Sequence, residues 1–296
     1  MASVARQLAA MAGDIKLSHS VFALPFALLA TFMAAEGWPR LGILLLIVIC
    51  MVLARTTAMG ANRVLDAGGD AGNPRTAGRA LPAGRVSVGF YLLVMALCMA
   101  GFVGATAGFW WFYGNRWPVV LSLPVLVFLI GYPLMKRFTR LCHYYLGVAL
   151  GLSPLCAWVA VAGTVAWEPI IMGLAVLFWS AGFDILYACQ DFESDVKTWT
   201  FSVPARIGIA RALWVSRLTH LLAAALLVLL WWKAPQLHWV FAGGLLVALA
   251  LLIYEHSLVK ANDLSRLNLA FFTMNGVISV ILGVSGIIDV VSWQSA

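Results

Sequence analysis

Hydrophobic residues occur along this chain in long blocks that short polar connections separate. A helix needs roughly 20 apolar residues to cross a lipid bilayer, and about nine blocks reach or approach that length. They lie at about 19–35, 41–59, 86–107, 117–133, 142–163, 169–188, 211–232, 236–258 and 268–292. The pattern predicts an all-α, polytopic membrane protein with about nine transmembrane helices, and we treat residues 1–296 as a single membrane domain.

The composition excludes an ordinary soluble domain, because 63% of the residues are hydrophobic and only 10% are charged. The five cysteines are scattered, mostly within apolar blocks, and their spacing fits neither a zinc site nor a disulfide framework. A net charge of +7 would also suit nucleic acid, but no nucleic-acid-binding module is recognisable. We interpret the positive charge as the basic excess of cytoplasmic loops.

The distribution of basic residues predicts the orientation. With the N-terminus in the cytoplasm, the connections at 60–85, 134–141, 189–210 and 259–267 are cytoplasmic. All but three of the 19 Lys and Arg residues then lie on that side; the exceptions are Arg40, Arg116 and Lys233. Arg6 and Lys16 precede the first block without a cleavage site, so we expect a retained span. The prediction is a multi-pass protein of the cell inner membrane.

Two acidic segments follow apolar blocks on this cytoplasmic side. Asn62, Asp66 and Asp70 are four residues apart, so they share one face of a helix, and Arg55 lies on the same stripe one level deeper. Asp184, Asp191 and Asp195 repeat the pattern later in the chain, at offsets of seven and four. Arg55 and Asp184 lie inside apolar blocks, where a charge normally faces a cavity or a partner. We expect Arg55 to point into the same cavity as Asn62 and Asp66.

Two carboxylate clusters that face each other repel unless cations lie between them. Oxygen ligands suit Mg²⁺, which proteins usually bind through one or two carboxylates and substrate phosphates. A single D-x-x-x-D is more often a solvated helix end, but two copies on one side of the membrane favour a site for a magnesium diphosphate. The candidate metal ligands are Asn62, Asp66, Asp70, Asp191 and Asp195.

Basic and aromatic residues accompany both acidic segments. The Gly-rich connection after Asp70 carries arginines that suit an anionic substrate, and Lys136 follows Tyr132 by one helical turn. For Lys136 the alternative is simple anchoring at the membrane surface. The candidate substrate-binding residues are Arg63, Arg75, Arg79, Tyr132, Lys136, Tyr187 and Lys197.

These residues resemble the signatures of the UbiA superfamily of intramembrane aromatic prenyltransferases. The N-x-x-x-D-x-x-x-D motif is Asn62–Asp70, the Tyr-Pro and Lys-Arg element is 132–137, and the second D-x-x-x-D is Asp191–Asp195. The resemblance covers nearly the whole chain, and it implies nine helices around a central cavity with cytoplasmic cap loops. Family members attach a polyprenyl chain to 4-hydroxybenzoate in ubiquinone synthesis. The sequence looks still closer to a bacterial subgroup with the HSxFALPFA and YACQD sequences. Some members of that subgroup are thought to prenylate 1,4-dihydroxy-6-naphthoate in the futalosine route to menaquinone, and no residue here separates the two acceptors.

The resemblance implies a mechanism. The metal ligands hold Mg²⁺ on the diphosphate of a polyprenyl donor, and neutralising this leaving group eases cleavage of the allylic C–O bond. Tyr132 or Tyr187 supplies a π-face to the allylic cation, and Arg55 binds the acceptor's carboxylate. The ring proton passes to diphosphate or to Asp184. We therefore assign catalytic roles to Asp66, Asp191, Asp184 and Arg55; lipid surrounds the prenyl tail, and no protein partner is implied.

A secondary transporter of an anionic metabolite is the alternative class. Transporters bind their substrate near the middle of the membrane, often at broken helices. In this sequence most of the acidic residues lie at the cytoplasmic ends of the blocks, which favours a surface reaction on a lipid substrate.

Overall fold

The computed structural model describes residues 3–15 and 22–293, and this part of the chain is predominantly helical. Four of the helices are short: α1 (Val4–Ile15), α2 (Leu24–Ala34), α8 (Phe192–Lys197) and α9 (Val203–Ile207). The long helices are α3 (Leu41–Gly72), α4 (Val88–Tyr113), α5 (Trp117–Met135), α6 (Cys142–Ala162), α7 (Trp167–Ala188), α10 (Ile209–Lys233), α11 (Trp239–Leu258) and α12 (Asn275–Trp293).

Eight helices of the described chain are long and apolar enough to cross a membrane, so the protein is a multi-pass membrane protein. The first predicted block contains α2, which has 11 residues in its described part. Lys16 and the other residues at 16–21 lie outside the described residues. Pro25 occupies the first turn of α2, where proline needs no hydrogen-bonding N–H and its fixed φ suits a helix.

The helices pack closely where small residues meet. α6 lies against α7, and a Cβ on Gly147 or Gly151 would collide with the backbone carbonyls of Leu177 and Gly173. Close backbone approach of this kind is a common way for membrane helices to associate, because lipid offers no hydrophobic drive between them. α7 in turn packs on α10, and α3 packs on α4 and α5. The packing fixes α7 at the centre of the bundle.

Irregular segments interrupt two spans near the candidate residues. α7 ends at Ala188 and continues as a 3₁₀ turn (Cys189–Asp191) into α8. A π-helical segment, Leu269–Met274, directly precedes α12. The sequence pattern predicted neither interruption, and π-helical turns inside helices are frequent at functional sites.

Candidate active site

A polar chamber of about 660 Å³ lies where the C-terminal part of α3 meets the end of α7. Both acidic segments line it, together with the connection after α3, the end of α5 and the loop before α9. The walls are in direct contact, because the amide Nδ2 of Asn73, just after α3, donates to Asp191 Oδ1 at 3.0 Å. The acidic ends of two helices therefore face each other, as the sequence predicted, with α3 extending beyond its apolar block to carry the first.

Asp66 lies at the inner wall of the chamber and is only 6% exposed. Lys136, at the end of α5, reaches it with its Nζ at 2.5 Å from Oδ2. Asn62 donates from Nδ2 to the same oxygen at 2.8 Å. The pairing places Lys136 in the chamber.

Asp70 is held by the connection that follows α3. Arg79 Nη1 lies 2.7 Å from Asp70 Oδ1 and 2.6 Å from Oδ2. Thr76 donates its hydroxyl to the backbone carbonyl of Asp70 at 3.1 Å. The Gly- and Pro-containing connection is thus folded back over the end of α3, which brings Arg75 and Arg79 to the chamber.

Asp191 receives a two-pronged contact from Arg75. Nε and Nη2 of Arg75 lie 2.8 Å and 2.6 Å from the two carboxylate oxygens, and the guanidinium lies 5.5 Å from the ring centroid of Tyr187. Burial lowers the pKa of Arg75, but hydrogen bonding to Asp191 and its negative charge outweigh this and raise the pKa overall. Arg75 is therefore charged at any physiological pH. Asp195 also lines this wall of the chamber.

Asp184 lines the floor of the chamber and contacts a residue that the sequence did not single out. Nδ1 of His143, at the start of α6, lies 2.7 Å from Asp184 Oδ2. The backbone N–H of Val203 donates to Nε2 of the same ring at 3.1 Å. His143 is 41 residues from Asp184, so no local spacing could have paired them.

A second, apolar chamber of about 210 Å³ lies deeper in the bundle, among α2–α6. Arg55 lines this chamber and not the polar one, and Tyr132 lines both. The expectation that Arg55 opens into the same cavity as Asn62 is therefore wrong. The reason is axial distance, because seven residues separate the two along the helix, or roughly 10 Å at 1.5 Å per residue.

Two predicted substrate-binding residues lie outside the polar chamber. Arg63 turns toward α1, where its Nη2 donates to the Asp14 carbonyl at 3.1 Å, and its Nη1 donates to Asn62 Oδ1 at 2.6 Å. Tyr91 donates to Asp14 Oδ2 at 2.9 Å and fixes the carboxylate beside Arg63. Lys197 is exposed at the end of α8. The structure thus gives Arg63 a role in holding Asn62 and docking α1, which hydropathy alone did not predict.

The donor set suits Mg²⁺ bound together with a substrate. Among the described residues no three His, Cys, Asp or Glu side chains form a metal-binding cluster, so the chamber is not a ready all-protein cage. Its walls nevertheless present carboxylate oxygens from Asp66, Asp70, Asp191 and Asp195, the ligands this hard cation prefers. Asn62 would have to release Arg63 before its oxygen became a ligand. The residues fit a metal that is completed by phosphate oxygens.

The chain is similar to known proteins over most of its length. The model of the UbiA prenyltransferase family matches residues 23–277. A 4-hydroxybenzoate octaprenyltransferase of Aromatoleum aromaticum is 31% identical over 273 residues, which cover 90% of this chain and 88% of that protein. The corresponding enzyme of Nitrosomonas eutropha is 31% identical over 254 residues, covering 84% and 85%.

Solved structures show the same fold. The apo structure of a UbiA homologue from Aeropyrum pernix superposes with a TM-score of 0.82 at 28% identity, covering 92% of this chain and 98% of that one. A UbiA homologue from Archaeoglobus fulgidus, bound to DMAPP and Mg²⁺, gives 0.72 at 20% identity, covering 95% and 99%. The second comparison concerns the fold alone.

Proposed function

The chain belongs to the UbiA prenyltransferase family, and we propose that it transfers a polyprenyl group from polyprenyl diphosphate to a ring carbon of an aromatic carboxylic acid. The preferred acceptor is 4-hydroxybenzoate, in quinone biosynthesis. Relatives at about 30% identity that carry this activity in their names support the choice.

Two adjoining chambers are the observation that most supports this reaction. The polar chamber is lined by aspartates of both acidic segments, the deeper chamber is apolar, and Tyr132 lines both. A polyprenyl diphosphate has the same division between a highly charged head and an apolar tail. The head would lie among the aspartates, and the tail would enter the apolar chamber and the surrounding lipid. The reacting carbon is the one that joins them, so bond cleavage would take place beside Tyr132.

The basic residues of the polar chamber are the groups that would bind the phosphate oxygens. Lys136, Arg79 and Arg75 are each paired with one aspartate, so much of the chamber's negative charge is balanced without a ligand. When a diphosphate enters, these cations can turn from carboxylate to phosphate oxygens, because both kinds of oxygen suit them. Mg²⁺, held by Asp66, Asp70, Asp191, Asp195 and Asn62, would stabilise the negative charge of the departing diphosphate.

The acceptor would bind between Arg55 and the polar chamber. Arg55 has the planar fork that suits a carboxylate, and it lines the apolar chamber together with Tyr132. Tyr132 and Tyr187 offer π-faces to the allylic cation. Attack by the ring carbon forms the C–C bond, and the ring proton then passes to Asp184 or to diphosphate, while its bonding electrons restore the aromatic ring.

We place the N-terminus and the polar chamber on the cytoplasmic side of the cell inner membrane, because the basic residues concentrate at that end of the helices. We expect neither nucleic acid nor an obligatory protein partner to take part in the reaction.

The proposal is tested with purified protein in detergent, Mg²⁺ and a polyprenyl diphosphate. Offered 4-hydroxybenzoate and 1,4-dihydroxy-6-naphthoate in parallel, the protein should give a product whose mass equals the acid plus the prenyl group minus one hydrogen. Product from only the naphthoate would assign the protein to menaquinone synthesis. Absence of product from both acids, combined with uptake of an anion into sealed vesicles, would support the transporter alternative.

A further inference from the structure

His143 connects the floor of the polar chamber with the loop at 200–203, here called the covering loop. The residue is 3% exposed and lies in the first turn of α6. One ring nitrogen contacts Asp184, and the other contacts the backbone of Val203, where the covering loop enters α9. The imidazole therefore bridges the carboxylate and the loop.

The backbone contact determines which nitrogen carries the proton. The Val203 N–H can only donate, so Nε2 must offer its lone pair and bears no hydrogen. A neutral imidazole then carries its hydrogen on Nδ1, which donates to Asp184 Oδ2 at 2.7 Å. Because both nitrogens are engaged, His143 has no free position from which to accept the ring proton itself.

The covering loop makes further contacts with residues near His143 in the chain. Phe201 N–H donates to the backbone carbonyl of Lys136 at 2.7 Å, and Cys142 Sγ lies 3.7 Å from the Phe201 carbonyl. Ser202 lines the polar chamber and caps α9 by accepting from the Ala205 N–H at 3.4 Å. The covering loop is therefore held by Lys136 through its backbone and by His143 through the Val203 N–H.

We propose that His143 is a positioning residue: in its Nδ1–H form it holds Asp184 Oδ2, directs Asp184 Oδ1 toward the acceptor, and does so only while the covering loop is seated. The proposal rests on the proposed function for the role of Asp184. The proton leaves the alkylated ring carbon and joins Asp184 Oδ1, and its electron pair returns to the ring. His143 keeps Asp184 oriented for that transfer.

Glutamine and leucine at position 143 separate positioning from packing. His143→Gln can keep both hydrogen bonds, since an amide has one group that donates and one that accepts. We expect it to retain kcat within about 3-fold, whereas His143→Leu should lose on the order of 100-fold in kcat, the low end of what a positioned proton acceptor contributes. KM for the diphosphate should stay unchanged in both, and His238→Gln, at the opposite end of the bundle, should behave as wild type.

A spectroscopic measurement tests the contact between His143 and Asp184 without an activity assay. In protein labelled with ¹⁵N-histidine, the His143 ring, assigned by its loss in His143→Gln, should be protonated at Nδ1 and unprotonated at Nε2. Its Nδ1–H signal should shift in Asp184→Asn. Protonation at Nε2, or a His143→Leu variant with wild-type kcat, would overturn the proposal. If the wild-type protein prenylates neither acid, the proposed function fails, and the ¹⁵N spectrum still establishes whether His143 holds Asp184.

Discussion

Arg75 binds Asp191 through two hydrogen bonds, of 2.8 Å and 2.6 Å, although 116 residues separate them in the chain. The contact joins the connection after the first acidic segment to the second acidic segment. It is a strong contact for a guanidinium, because its planar fork matches two carboxylate oxygens. Arg75 therefore links the two acidic segments at the polar chamber, and under the proposed function a diphosphate would compete with Asp191 for it.

Arg75→Lys tests whether this fork serves the diphosphate. Lysine keeps the charge but loses the second parallel hydrogen bond, and a charged hydrogen bond is worth about 1.5–3 kcal/mol, or roughly 10- to 150-fold in affinity. We expect KM for the polyprenyl diphosphate to rise at least about 10-fold, the low end of that range, while KM for the aromatic acid stays constant. Arg140→Lys, exposed beyond α5, is the matched control. Equal KM values for both variants would remove Arg75 from substrate binding.

Arg55, in the apolar chamber, is the residue that we assign to the acceptor's carboxylate. Arg55→Gln should lower kcat/KM for 4-hydroxybenzoate by about 100-fold, because the charge-assisted contact to the carboxylate is lost. For a phenolic acceptor without a carboxylate the same substitution should change kcat/KM little. Steady-state kinetics with the two acceptors makes the comparison. Equal losses with both acceptors would contradict the assignment and leave Arg55 a structural role.

Removal of divalent metal should abolish turnover. The carboxylates of Asp66, Asp70 and Asp191 are paired with basic side chains, so the protein should stay folded when a chelator is added. Activity should fall to background in EDTA and return on addition of Mg²⁺, with an unchanged melting temperature in the absence of substrate. Full activity in EDTA would contradict the metal role.

The contact between α6 and α7 predicts an effect on stability at a position outside the polar chamber. Gly151→Ala places a methyl group against the Gly173 carbonyl and should lower the free energy of unfolding by about 1–3 kcal/mol, as overpacking usually does. Gly104→Ala is the control, since nothing outside the local helix backbone lies within 4 Å of its Cβ position, and alanine favours a helix by up to about 1 kcal/mol. Thermal unfolding in detergent should therefore separate the two variants. Equal melting temperatures would show that the helices can move apart without cost.

The hydropathy pattern was sufficient to predict a helical membrane protein. The acidic segments after two of its apolar blocks indicated which helix ends line the polar chamber. Four-residue spacing placed Asn62, Asp66 and Asp70 on one face, and all three are buried and line the polar chamber. Such predictions succeed because they depend on local periodicity. They also brought Asp191 and Asp195 to one chamber, although a 3₁₀ turn replaces the continuous helix there.

Contacts between segments that are distant in the chain could not be predicted from the sequence. Arg63 looked like a phosphate ligand because it follows Asn62, but Asp14 in α1 holds it. His143 had no signal apart from being a histidine at the start of a span. Likewise, nothing in the apolar block at 268–292 indicated the π-helical segment, whose Phe271 stacks on Tyr187 with ring centroids 4.0 Å apart. Each of these features depends on which helices pack against each other, and local periodicity does not give that packing.

If the two acidic segments bind one metal–diphosphate unit together, their contributions to its affinity must be coupled. The most direct measurement is calorimetric binding of geranyl thiodiphosphate, an unreactive analogue, in the presence of Mg²⁺ to wild type, Asp66→Asn, Asp191→Asn and the double variant. Asp263→Asn, in an exposed loop, is the control. We predict that each single variant loses at least about 10-fold in affinity and that the double variant loses little more, because residues sharing one ligand are strongly coupled. Binding that one substitution leaves intact, or losses that simply multiply in the double variant, would contradict a shared site.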